Sequence, residues 1–213
     1  MKISFKNKQQ TPHQASLSDA ATAILDIAER LAQTKGYNGF SYADIAAELG
    51  VTKASLHYHF PSKAELGRAL IERYETAFSA ALEAIDRLAA KPPEKLRRYV
   101  GLYDAVMRND RMCLCGMLAA EYATLPAPMQ AELKRFFDMN ERWLTKVLLP
   151  GRQSGLLLFK ESASERARVI LAALEGAMLV ARSYGDPRRF QAAAEHVLED
   201  LGAGKTSRRA RLV

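Results

Sequence analysis

The chain has 213 residues, of which 26% are charged and 48% hydrophobic, and its formal net charge is +7. This length can bury one large or two small cores, and the charged fraction is too moderate for a compositionally disordered chain. No run of 18 apolar residues exists, so no membrane span is expected, and the polar start MKISFKNKQQTPHQ lacks the apolar stretch of a signal peptide. Two cysteines are too few for a disulfide framework, which favours a reducing, cytoplasmic location.

Apolar residues recur every three to four positions, and glycine and proline are sparse, which predicts an all-α protein of about nine helices. The excess of positive charge lies at the two ends. We therefore expect a basic flexible arm over residues 1–17 and a basic flexible tail over residues 202–213. These ends are either solvated, or, for the first, able to reach DNA phosphates or a minor groove.

The first helix is predicted over residues 20–35. The stretch that follows, SYADIAAELGVTKASLHYHF at residues 41–60, reads as two short helices joined by a turn at Gly50. Ser41 begins a capping box for the first short helix, and Thr52 is a good N-cap for the second. This pattern is typical of a helix-turn-helix, whose second helix inserts in the major groove of DNA.

Several residues of this segment have the size and polarity that DNA contacts need. The free N–H groups at the start of the first short helix favour a phosphate, and Lys53 can bond a guanine or hold a phosphate. Ala54 is small enough for close approach, and His57 projects from the exposed face. His57 and His59 diverge on a helix, so no metal site is expected. The candidate DNA-binding residues are Ser41, Tyr42, Thr52, Lys53, Ala54, Ser55, His57, Tyr58, His59 and Lys63.

Six more helices are predicted after the helix-turn-helix. Capping boxes at Ser62 and Ser162 start the fourth and the eighth helix, and Pro150 is expected to end or kink the seventh. The predicted spans are 63–89, 94–108, 115–124, 128–149, 162–184 and 188–201.

The segment from Gly39 to Leu66 strongly resembles the tetracycline-repressor (TetR) family of bacterial transcription regulators. The motifs that carry the resemblance are Asp44-Ile45-Ala46, Gly50-Val51-Thr52, Leu56-Tyr58-His59-Phe60 and Ser62-Lys63-Glu65-Leu66. The resemblance implies a DNA-binding domain over residues 18–78, with Tyr58 and His59 as a phosphate-contacting pair. It also implies an effector-binding and dimerisation domain over residues 79–201.

By this resemblance, helices 4 to 8 enclose a pocket for a small-molecule effector, and the last two helices form a homodimer. The alternative for every such residue is ordinary core. Glu175, a charge on an apolar face, could hold a cationic or hydroxylated ligand. The candidate ligand-binding residues are Tyr74, Phe78, Tyr103, Met107, Cys113, Met117, Tyr122, Phe137, Trp143, Glu175 and Met178. The candidate dimer-interface residues are Ala173, Gly176, Ala177, Val180, Phe190, Val197 and Leu198.

The expected function is therefore that of a homodimeric repressor, which an effector releases from a palindromic operator with half-sites ~34 Å or a multiple apart. One alternative is a repressor that senses electrophiles or oxidants through Cys113 and Cys115, since Arg108 and Arg111 nearby would favour thiolates. Another is an architectural protein that binds double-stranded DNA without an effector. No catalytic or cofactor motif is found, so neither an enzyme nor a cofactor is expected.

Overall fold

The computed structural model describes residues 12–203, with side chains from Asp19 onward. Every regular element in that range is helical, which confirms the predicted all-α class. No helix in the described range is both long and apolar enough to cross a bilayer. The elements are α1 Pro12–Lys35, α2 Tyr42–Leu49, α3 Lys53–His59, α4 Lys63–Leu88, α5 Pro92–Arg108, α6 Leu114–Ala120, a 3-10 turn Tyr122–Thr124, α7 Ala127–Gln153, α8 Ala163–Ser183 and α9 Pro187–Asp200.

The predicted flexible ends need correction. Helix α1 begins at Pro12 rather than near residue 20, so residues 12–17 are helical; proline is tolerated there because the first helical N–H has no partner. At the other end, Ala203 is buried and its N–H donates to the carbonyl of Leu198, 2.9 Å away. The rest of the predicted arm and tail lies outside the described residues.

Two helix boundaries in the second half also differ from the prediction. Helix α7 continues through Pro150 to Gln153, because a proline so near the helix end interrupts little of the ladder, and Ser154 Oγ donates to the Pro150 carbonyl (2.8 Å). The predicted helix 115–124 instead divides into α6 and the 3-10 turn.

Side-chain caps define where α2, α3, α4 and α8 begin. The three predicted capping boxes, which begin at Ser41, Ser62 and Ser162, are all present. The Thr52 hydroxyl accepts from the N–H of Ser55 (3.3 Å), as predicted for the N-cap of α3. Gly50 closes α2 with φ +68°, a left-handed conformation that glycine adopts without steric cost. The local sequence therefore fixes the angle between α2 and α3.

Helices α1 to α3 form a small bundle that we call the reader. Helix α2 packs between α1 and α3, and fully buried Ile45 and Leu56 fill the space between them. Helix α4 starts beside the reader and then runs along α7 and α5. The second half is a bundle in which α8 packs against both α7 and α9. One continuous hydrophobic core joins the two halves.

The segment between α1 and α2 is held by two opposite charges from the second half. The ammonium of Lys63, at the start of α4, donates to the carbonyls of Tyr37 (2.6 Å) and Phe40. The carboxylate of Glu121, just after α6, accepts from the N–H groups of Tyr37 (2.7 Å) and Asn38 (3.2 Å). The reader is thus fixed to α4 and α6 through its own backbone.

We expect Glu121→Ala to lower the free energy of unfolding by about 1–2 kcal/mol, because two backbone N–H groups lose a charged acceptor. Urea unfolding followed by circular dichroism measures this change. Glu195→Ala, at an exposed position of α9, is the matched control and should change stability by less than about 0.5 kcal/mol. Equal effects of the two substitutions would contradict the role assigned to Glu121.

Candidate DNA-binding face and effector site

Helix α3 buries one side chain, half-buries two and exposes four. Leu56 is fully buried against the reader core, whereas Lys53, Ala54, His57 and Tyr58 are exposed. Tyr58 is 70% exposed, which is unusual for a residue of its size. The polar and aromatic groups of α3 are therefore available to another molecule.

A concave surface of about 310 Å³ lies where the start of α2 meets α3. It brings together five predicted DNA-binding residues and adds Ala43, which the sequence analysis missed. We call this surface the notch; its lining residues are Ser41, Tyr42, Ala43, Lys53, His57 and Lys63. The other candidates, Thr52, Ala54, Ser55, Tyr58 and His59, lie outside it.

Tyr42 forms the buried side of the notch. It is 8% exposed, and its hydroxyl donates to the carbonyl of Phe60, 2.7 Å away. Burial raises the pKa of Tyr42 to about 12, so the phenol remains a donor at neutral pH. Its ring packs against the imidazole of His57 (4.7 Å between centroids), and His57 Nδ1 lies 3.1 Å from the carbonyl of Pro61. Tyr42 therefore positions the end of α3, with its hydroxyl already used.

Lys63 is also less available than its sequence position suggests. Its ammonium bonds two carbonyls and lies 4.5 Å from the ring centroids of both Tyr37 and Phe40. Burial lowers the pKa of Lys63, and the nearby carboxylate of Glu121 partly opposes that shift. The side chain thus holds the reader together more directly than it faces an outside partner.

The second half contains a chain of buried hydrogen bonds among aromatic rings. Tyr99 donates its hydroxyl proton to Asn140 Oδ1 (2.9 Å), and the hydroxyls of Tyr99 and Tyr103 are 3.0 Å apart. Asn140 Nδ2 in turn donates to the carbonyl of Phe136 (2.9 Å). The sequence alone does not single out Tyr99, Phe136 and Asn140, because only the packing of α5 on α7 brings them together.

Most predicted ligand-binding residues lie in or beside this cluster. The rings of Tyr74, Phe78, Tyr103, Phe137 and Trp143 contact one another or those of Tyr99 and Phe136. Met107 and Met178 are buried in the same core, and Met117 packs against it. Tyr122 stands apart, in the 3-10 turn, with the Lys134 ammonium 5.6 Å from its ring centroid.

Glu175 is the most unusual residue of the second half. Both carboxylate oxygens are shielded from solvent, and among the described residues the one polar group that bears on them is the Cys113 thiol, a weak donor. They lie against α6 where Gly116 leaves room, since a Cβ there would collide with Oε2. Burial raises the pKa of Glu175 to about 7, and the nearby Cys113 thiol opposes this shift. The carboxyl is therefore largely protonated below neutral pH.

The two thiols have environments opposite to the one predicted. Cys113 and Cys115 are free and buried. Burial first, and then the carboxyl of Glu175 for Cys113, raise the pKa of both thiols well above its usual value. Arg108 lies on the surface, where it pairs with Asp104. The expected lowering of thiol pKa by these arginines is thus not found.

The outer face of α8 is apolar and lacks cover from the described residues. Val180 is 52% exposed, and a Cβ built on Gly176 meets no atom within 4 Å. The predicted interface residues Ala173 and Ala177 are half-buried beside them, as are Val197 and Leu198 on α9. Phe190, by contrast, is fully buried within its own chain, because it points from α9 into the core.

Two family profiles match separate parts of this chain. Residues 24–70 match the profile described as bacterial regulatory proteins of the tetR family. Residues 92–196 match the C-terminal domain of LmrA/YxaF-like transcriptional regulators. The chain belongs to the TetR family, and it is a DNA-binding transcription regulator.

Individual relatives agree with this assignment. A crystal structure of a TetR-family transcriptional regulator from Agrobacterium tumefaciens is 35% identical, with a TM-score of 0.84, over 87% of this chain and 98% of that one. The HTH-type transcriptional repressor NemR of Escherichia coli K12 is 24% identical over 84% of this chain and 92% of its own. The repressor DhaR of Mycobacterium sp. GP1 is 25% identical over 68% and 73%, respectively.

The raised pKa of Glu175 predicts how stability depends on pH. Between about pH 4.5 and pH 7 the unfolded chain loses this proton while the folded chain keeps it, so the free energy of unfolding falls as pH rises. Glu175→Gln removes this dependence. We expect its stability relative to the wild type to increase by roughly 3 kcal/mol from about pH 4.5 to about pH 8.

Urea unfolding at several pH values measures this difference. Glu195→Gln, at an exposed site, should follow the wild type throughout. A constant difference between Glu175→Gln and the wild type across the range would contradict the assigned environment of Glu175.

Proposed function

We propose that this protein is a homodimeric repressor that binds a palindromic operator and releases it when a small molecule occupies the second half. The observation that carries the proposal is the exposed polar face of α3 beside the notch. A surface residue as large as Tyr58 on a helix of the major-groove type is well suited to a DNA partner. The names of the related repressors support the direction of regulation.

The notch supports a specific division of contacts. Ser41 caps α2, whose first N–H groups and dipole favour an anion, and Lys53 lines the same surface. We assign a DNA phosphate to this place, with Lys53 as its cation. Thr52, Ala54, Ser55 and His57 are then left to approach base edges, and Tyr58 and His59 a neighbouring phosphate. Tyr42 and Lys63 would support this face from within.

The homodimer is supported by the outer face of α8 and the adjoining face of α9. An apolar surface that contains Gly176 and Val180 is suited to close packing against the same surface of a second copy, with two-fold symmetry. Ala173, Ala177, Val197 and Leu198 would extend it. Phe190 is not part of this proposed interface, because it is already buried within its own chain.

Effector release requires a ligand that binds the DNA-bound and the DNA-free conformations with different affinity. Helix α4 carries Tyr74 and Phe78 of the aromatic cluster and, at its start, Lys63, which bonds the segment between α1 and α2. Helix α6 packs against α4 and ends directly before Glu121, which bonds the same segment. A ligand that displaces either helix would therefore move the reader.

The two alternatives are less well supported. A repressor that senses electrophiles through Cys113 and Cys115 would need reactive thiols, and buried, protonated thiols are poor nucleophiles. An architectural DNA-binding protein has no need of a chain of buried hydrogen bonds in its second half.

Selection of sites from a random DNA pool is the direct test of the repressor proposal. A palindromic consensus with half-sites about one helical turn or a multiple apart is the expected result. Binding that depends on salt but not on sequence would instead favour the architectural alternative.

We expect Lys53→Ala to weaken binding to every operator variant by a similar factor, about tenfold, because a phosphate loses its cation. The slope of log K against log salt should fall by about 1. Fluorescence anisotropy over a salt series measures both. Lys160→Ala, in the exposed segment between α7 and α8, is the control and should change neither quantity.

The pattern across operator variants decides the role of Lys53. Relaxed specificity at a single base pair, with an unchanged salt slope, would mean that Lys53 reads a guanine and would contradict the phosphate assignment.

We expect Val180→Asp to convert the dimer into a monomer at micromolar concentration, because two like charges would face each other in an apolar interface. Sedimentation equilibrium measures the mass, and operator affinity should fall with it. Leu88→Asp places the same charge at an exposed apolar position at the end of α4 and should leave the dimer intact. A Val180→Asp protein that stays dimeric would rule out this face as the interface.

A further inference from the structure

Glu175 is a buried acid without a counterion. Among the described residues, burial and the Cys113 thiol are what shift the pKa of Glu175, and no lysine, arginine or histidine contributes. Leaving a carboxyl in this state costs stability, since burial of an unpaired polar group is unfavourable. An ordinary core position has no reason to carry that cost, so a missing partner is a better explanation than packing.

Aromatic rings and thiols surround this carboxyl. Glu175 lies near enough to Tyr74, Tyr99 and Tyr103 that a negative charge on it raises the pKa of each phenol, in addition to the larger effect of burial. Cys113 and Cys115 from α6 experience the same effect. Ring faces attract cations through their quadrupoles, and a desolvated carboxylate attracts them more strongly. The surroundings are thus favourable for positive charge and for an apolar body attached to it.

A cleft shares one residue, Tyr74, with these surroundings. It has a volume of about 400 Å³ and lies between α1, α4 and α5. Tyr74 lines the cleft, and its phenol lies near enough to the Cys113 thiol and to Glu175 for both to raise its pKa, after the larger effect of burial. Gln33 of α1 lines the same cleft, and its buried Oε1 accepts no hydrogen bond. Tyr74 is therefore the residue that the cleft shares with the surroundings of Glu175.

We infer that the effector is a small organic cation, such as a protonated amine or an amidinium, which enters past Tyr74 and whose charged head pairs with Glu175. This inference rests on the proposed function, in which the second half binds an effector. The cation supplies the counterion that the chain lacks, and the aromatic cluster covers its apolar body. The cleft also includes Glu29 and Gln33 of α1, so an occupant would contact the reader directly and bias its orientation.

The test compares probes of equal shape and different charge. Binding of 2-phenylethylammonium and of its neutral analogue 2-phenylethanol is measured by isothermal titration calorimetry with the full-length wild type, Glu175→Gln and the control Glu195→Gln. Benzamidinium and trimethylphenylammonium extend the cationic set. We expect the wild type and Glu195→Gln to bind at least one cation at least about tenfold more tightly than the neutral analogue, and Glu175→Gln to lose that preference.

Several results would overturn the inference. They are equal affinity of the wild type for cations and the neutral analogue, preferred binding of the neutral analogue, no binding of any cation up to millimolar concentration, and a cation preference that survives in Glu175→Gln. The wild-type comparison decides the matter even if Glu175→Gln fails to fold. Selection of DNA sites with the same wild-type sample separates the two proposals, because an operator consensus without cation binding refutes only the inference about the effector.

Discussion

The segment between α1 and α2 is bound at once by a cation and an anion, and the arrangement of the two halves depends on this double contact. Lys63 of α4 holds its carbonyls, and Glu121 beyond α6 holds its N–H groups. Charged groups form the stronger kind of hydrogen bond to backbone, and here they come from two different helices. The reader therefore cannot shift relative to α4 without also shifting relative to α6.

Helix α6 is short and connects very different environments. Its first turn packs against Glu175 at Gly116, Cys113 lies directly before it, and Glu121 follows its last residue directly. A seven-residue helix has little internal freedom, so a displacement at one end is passed to the other. Met112, just before it, also donates its N–H to the carbonyl of Gln33 in α1 (3.2 Å). The buried acid and the reader are thus separated by one rigid element.

A structural feature can be predicted from the sequence when the residues that determine it lie a few positions apart, and not when they come from different helices. The capping boxes, the turn at Gly50 and the exposed α3 face follow from residues a few positions apart, and the structure confirms them. The engagement of Tyr42 and Lys63, and the burial of Phe190, depend on partners from other elements that periodicity does not reveal. The sequence around Glu121 does not indicate its role, because an acidic residue after a helix is common. Only the structure shows that its carboxylate accepts hydrogen bonds from the segment between α1 and α2. Glu175 was identifiable from the sequence, since a lone charge on an apolar face is locally visible.

Glu175 and the proposed dimer face lie on the same helix, α8. Glu175 points toward α6, while neighbouring Gly176 points to open space. Because side chains on one helix turn together, any rotation of α8 that follows a change at Glu175 also changes the surface offered to a second copy. A ligand that pairs with Glu175 would therefore have two effects. Displacement of α6 would move the reader of the same chain, and rotation of α8 would change the surface that packs against the second copy. In the proposed dimer, the two readers would have to change their separation together to leave a palindromic site.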